Sequence, residues 1–166
     1  MTVSSLIKPE PIKTVRFTRT VHAPRQLVFD VWTKAEHLQH WFSPNGYTVH
    51  GVESDPRPGG VFRLIMRNAA GEGFWSVGNY LEVDPPRRVV THVGGEAPDG
   101  SLMFEVINTA VFEEQGEKTI IHASGEVIAI HDPEIGAAAM AGMNEGWKQT
   151  LDRFEARLAR VVGGKS

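Results

Sequence analysis

From Tyr47 to Ile130 the chain runs through alternating apolar and polar stretches, broken only by turn residues, and then enters one long amphipathic segment. The stretches 47–53, 61–67, 74–83, 87–93, 102–113 and 118–130 predict six consecutive strands. Asp55-Pro56-Arg57-Pro58-Gly59-Gly60, Asn68–Gly73, Asp84-Pro85-Pro86 and Gln115-Gly116 supply the turns between them. Strands joined by links this short, with no helix between them, predict an antiparallel meander.

The final segment reads as a single helix. Asp132 can cap it, Pro133 suits its first position, and Glu134 lies at the positive end of its dipole. Met140, Met143, Trp147, Leu151, Phe154 and Leu158 recur every three or four residues as one apolar stripe, and Gly163-Gly164 ends the helix. At about 1.5 Å per residue it is long enough to cross a whole sheet.

Upstream, Thr14–Val21 predicts a first strand whose apolar face is interrupted by Arg19. Pro24 is expected at the start of a short helix with Leu27, Val28, Val31 and Trp32 inward. Thr33 and Glu36 form a capping-box pattern for a second short helix, which ends near Trp41 ahead of Ser43-Pro44. The predicted order is β-α-α-β6-α. This is an α+β fold in which a curved antiparallel sheet of six or seven strands surrounds a long C-terminal helix. Residues 1–13 are expected to be a flexible lead-in, 14–162 a single domain and 163–166 a tail.

A chain of 166 residues buries roughly 70% of its unfolded surface, so it needs no disulfide or metal to hold a core. It has no cysteine, which removes disulfides, zinc-thiolate sites and thiol catalysis and fits a reducing compartment. The net charge of −3 gives no electrostatic reason to expect nucleic acid. Residues 1–14 lack the apolar core of a signal peptide, and no stretch has the roughly 18 apolar residues of a membrane span. A cytoplasmic location is expected.

A sheet this wide has more inner surface than one helix covers. Gly142 and Gly146 lie four apart inside the long helix, where each costs about 1 kcal/mol relative to alanine. Either close packing of helix on sheet or the approach of a ligand accounts for them. The large residues expected near the interior are Trp41, Phe42, Phe62, Leu64, Met66, Trp75, Phe104, Met140, Met143 and Trp147. Such a set suits an apolar pocket, although a stripe at helical spacing is more often plain core.

Chemistry is sparsely signalled. Ser43, Ser76, Ser101 and Ser124 have no nucleophile-elbow context. His37 and His40, three apart on a helix, could share a metal, but nothing nearby completes a ligand set. Arg63, Tyr80 and Glu105 are the candidate polar cavity groups. If inward, Arg63 and Glu105 would be a desolvated cation and acid; on alternating strands the plain expectation is that they face solvent. No cofactor and no metal are expected.

Several motifs in order resemble one family. Ala23-Pro24, Val31-Trp32-Thr33 and Trp41-Phe42-Ser43-Pro44 resemble an "AP…VW…T…WW.P" opening. Asp55 to Gly60 resembles "D.RPGG", and Gly78, Tyr80, Glu82, Pro85-Pro86, Arg88, Val89 and Val90 resemble "G.Y.E..PP.R.V". Phe112-Glu113, Gly116 and Thr119 are similar to the late hairpin, and Gly146-Trp147 to the helix motif. Together they resemble the activator-of-heat-shock-protein-90-ATPase-like proteins of the START-like (SRPBCC, helix-grip, Bet v-like) superfamily. Phe42 departs from the second tryptophan of the opening pair.

The resemblance implies the fold derived above, with a cavity between sheet and long helix of the kind used for lipids, polyketides and other apolar molecules. A binder of a small apolar ligand is therefore expected first. An enzyme of cyclase, dehydratase or hydrolase type in the same cavity is the alternative. A chaperone-associated or stress-related interaction module ranks below both, because the eukaryotic co-chaperone's separate N-terminal domain has no counterpart here. Homodimerisation rests on family analogy alone.

Overall fold

A computed structural model describes residues 10–164. Of the expected lead-in and tail, residues 1–9 and 165–166 lie outside the described residues. Pairing begins before the predicted Thr14: Ile12 N–H donates to the Val127 carbonyl, and strand β1 spans Lys13–Val21. Helices α1 (Arg25–Thr33) and α2 (Ala35–Trp41) follow. Then come β2 (Tyr47–Ser54), β3 (Val61–Asn68), β4 (Gly73–Asp84), β5 (Arg88–Glu96), β6 (Leu102–Gln115), β7 (Lys118–Ile130) and α3 (Pro133–Val162).

The seven strands form one antiparallel sheet in the order β1-β7-β6-β5-β4-β3-β2. Five hairpin links build the meander from β2 to β7. The first strand then closes the far edge by pairing with the last, Val15 opposite Gly125 and Val21 opposite Thr119. This is the α+β helix-grip architecture expected from the sequence.

Helix α3 starts as predicted. The Asp132 carboxylate accepts from the backbone N–H groups of Glu134 and Ile135, both at 3.1 Å. The two short helices begin differently. Pro24 occupies the N-cap, with extended backbone, rather than the first helical position. Lys34, not Thr33, precedes α2, so no capping box forms. Thr33 is buried, and its hydroxyl takes the nearest acceptor by donating back to the Phe29 carbonyl at 2.9 Å.

The stripe on α3 divides into two functions. Its C-terminal half buries Leu151, Phe154 and Leu158. There Phe154 meets Trp32 and Trp41 at centroid distances of 5.1 and 4.9 Å, and Trp32 meets Phe112 at 5.6 Å. Edge-to-face aromatic packing of this kind adds to the burial term. The interrupting Arg19 lies beneath the same half of the helix and pairs with Asp152 and Glu155. Near the other end Lys13 donates to the Met140 carbonyl at 2.9 Å, so β1 ties down both halves.

Candidate functional site

Helices α1 and α2 cover only one end of the concave sheet. Over the other end, the first half of α3 stands clear and forms one side of a half-open cavity of about 810 Å³. Its floor is the inner face of β3 to β7, including Met66, Phe74, Val93, Phe104, Val106 and Val127. Its roof is α3 from Ile135 to Thr150. The loop of Phe42 to Tyr47 forms a side wall and is bound to the roof. Asn45 N–H donates to Gln149, and Arg153 donates to the Pro44 and Tyr47 carbonyls.

The roof is made of small and flexible residues. Ala138, Ala139, Gly142, Gly146, Met140 and Met143 all line it. A Cβ added at Gly142 or Gly146 would meet no atom within 4 Å. Close packing of helix on sheet therefore does not account for the two glycines, which both line the cavity, Gly146 half-buried and Gly142 exposed.

Six of the sequence candidates line this space: Phe42, Met66, Phe104, Met140, Met143 and Trp147. The other four do not. Trp41 and Leu64 are fully buried in the core. The Trp41 indole N–H donates to the Val31 carbonyl at 2.9 Å, which points the ring into the helix layer. Phe62 is buried beneath Phe42 at a centroid distance of 5.3 Å and borders only a water-sized void at the inner end. Trp75 lies on the opposite face, since Phe74 and Ser76 on either side of it point inward.

The polar candidates are also elsewhere. Arg63 alternates with the inward Phe62 and Leu64, so its guanidinium stacks on Trp75 at 3.9 Å and pairs with Glu53 on the outer face. Tyr80 is in the core, where its hydroxyl bonds Ser54 at 2.6 Å and approaches the Thr33 carbonyl at 3.4 Å. Burial pushes its pKa up to about 12. Glu105, between inward Phe104 and Val106, points outward and bridges His131 at 2.7 Å and His92 at 2.8 Å.

The hydrogen bond from His131, aided by that from His92, lowers the Glu105 pKa below the ordinary carboxylate value of 4.5. A depressed carboxyl pKa stabilises the fold above the unfolded value and stops doing so as pH falls through the folded one. The stability difference between the native chain and Glu105→Gln is therefore expected to be full at pH 6 and to vanish below pH 4.5, toward the folded pKa. Urea unfolding at a series of pH values measures it; a gap that widens on acidification contradicts the assignment.

The two helix histidines are not arranged for a metal. Arg157 donates to Nδ1 of His37 at 3.2 Å from Nε, placing a fixed cation where a metal would bind. Burial first, and Arg157 second, lower the pKa of both His37 and His40.

One polar group on the wall was not singled out from the sequence. Asn108 stands at the centre of β6, on the inward parity with Val106, Ala110 and Phe112, and its Oδ1 is buried without a partner. Leaving such an acceptor unpaired costs about 1–3 kcal/mol. The legible signal was a polar side chain at an inward position of an otherwise apolar strand face.

A sequence profile described as Activator of Hsp90 ATPase homolog 1-like protein matches residues 22–159. The chain belongs to this family. No curated protein matches its sequence significantly. Solved structures share its fold. A protein from Chromobacterium violaceum is 23% identical with a TM-score of 0.75, covering 87% of this chain and 96% of its own. The AHSA1 protein of Silicibacter pomeroyi is 21% identical with a TM-score of 0.72, covering 89% and 98%. A protein from Staphylococcus epidermidis is 26% identical with a TM-score of 0.68, covering 93% and 94%. Among the described residues of this AHSA1-family chain, no helix is long and apolar enough to cross a membrane.

Proposed function

We propose that this chain binds one small apolar molecule, of lipid, polyketide or aromatic type, in the cavity between the sheet and the first half of α3. The observation that carries the reading is the pair Gly142 and Gly146. Each weakens the helix by about 1 kcal/mol relative to alanine, and neither is needed by a neighbouring atom. The cavity's size and apolar, aromatic wall are those of small-molecule sites. The enzymatic alternative needed two or more polar groups converging inside; Arg63, Glu105 and the histidines are not part of the wall, and Glu72 is the one charged residue that lines it among the described residues.

The neutral bicyclic probe 2-methylnaphthalene is expected to bind saturably, one molecule per chain, by isothermal titration. Native mass spectrometry before and after denaturing extraction should show a co-purifying neutral compound of similar stoichiometry. A chain that shows no saturable binding and yields no extractable compound contradicts the proposal.

A further inference from the structure

We infer that the ligand of this cavity is an uncharged ring compound carrying one hydroxyl group, held between Asn108 and Trp147. The inference rests on the binding reading above and specifies what is bound. Tyr80, Thr91, Asn108 and Gly125 are successive cross-strand partners along one row of the concave face. Tyr80 spends its hydroxyl on Ser54, and Gly125 has no side chain. Above Gly125, three atoms converge on the point a Cβ would occupy: Met143 Cε at 2.9 Å, Trp147 Nε1 at 3.0 Å and Asn108 Oδ1 at 3.2 Å. The bare glycine makes room for that convergence.

The chemistry of the cluster is specific. The indole N–H is a donor only, and the orphaned Oδ1 is an acceptor. A hydroxyl satisfies both, accepting from Trp147 and donating to Asn108. A ketone satisfies the indole and leaves Oδ1 unpaired. An alkyl or halogen substituent satisfies neither. Met143 is the cover: its unbranched thioether chain can swing aside to admit the group.

Charge selects further. Glu72 is the one charged residue among those of the described chain that line the cavity, and no lysine, arginine or histidine does. A carboxylate or phosphate drawn into the interior would lose water and gain no cation. The aromatic side chains of Phe42, Phe74, Phe104 and Trp147 suit a ring system as the remainder of the ligand.

Two probes of matched shape, 2-naphthol and 2-methylnaphthalene, separate the hydroxyl from the ring. Isothermal titration is expected to show 2-naphthol binding about tenfold or more tightly to the native chain, as one filled polar pair requires. Asn108→Leu, of similar volume, should bring the ratio of the two affinities close to one, and Trp147→Phe should reduce it. Equal affinities in the native chain, or a preference that survives both substitutions, overturn the hydroxyl assignment and leave the cavity reading standing. If neither probe binds, the hydroxyl assignment falls, and the cavity reading falls with it when denaturing extraction also yields no compound.

Discussion

A chain carrying Gly142→Phe and Gly146→Phe is expected to bind 2-methylnaphthalene about tenfold more weakly or worse, and to unfold at an unchanged or slightly higher urea concentration. Most substitutions of a ligand site confuse loss of binding with loss of structure; this pair separates them. Both positions lie on the cavity roof with no atom within 4 Å of an added Cβ. Phenylalanine has the better helix propensity, so each exchange returns a fraction of the roughly 1 kcal/mol that glycine forfeits. Neither added ring meets a protein atom at its Cβ, and the half-buried Gly146 is the position from which a ring is expected to enter the space the ligand is proposed to fill. Undiminished binding in a stable variant would place the probe elsewhere on the molecule.

Trp41→Ala is expected to do the reverse, lowering stability by about 3–5 kcal/mol. Its ring is wholly buried, 4.9 Å by centroid from both Trp32 and Phe154 and 5.3 Å from Phe42. It also holds the Val31 carbonyl, joining the end of α2 to α1. Removing it leaves a cavity in the aromatic core and an acceptor without its donor. The urea midpoint measures the loss. A decrease of under about 1 kcal/mol, the effect of an ordinary surface change, would contradict the core assignment. Trp147→Ala, which strips a ring from the cavity wall, should cost much less stability and more affinity.

These two tryptophans show how far the sequence could be read. Strand succession, the Asp132 cap and the period of α3 made the architecture legible, because each depends on local spacing. The stripe from Met140 to Leu158 was also legible as apolar. Where core gives way to cavity along it was not, since the same spacing serves both. That division is set by where α1 and α2 come to rest, a tertiary fact. Trp75 was misplaced because its strand carries large residues on both faces, Phe74 inward and Trp75 outward. The outward placement of Arg63 and Glu105 followed the plain alternation of their strands. Thr33 failed as a cap because burial made a carbonyl of its own helix the better partner. Asn108 was legible in principle, but its meaning depends on Gly125 and Trp147, 17 and 39 residues further along the chain.

The most direct test of the cavity is a titration of the chain, with its four tryptophans labelled with ¹⁵N at the indole, by 2-methylnaphthalene under two-dimensional NMR. Only Trp147 lines the large cavity; Trp41 is sealed in the core, Trp32 borders the inner void, and Trp75 lies under Arg63 on the outer face. The Trp147 indole resonance is expected to move most and to saturate at one equivalent, with Trp75 unmoved. A probe that binds while Trp147 stays still, or that shifts Trp75 instead, would contradict a ligand site beneath α3.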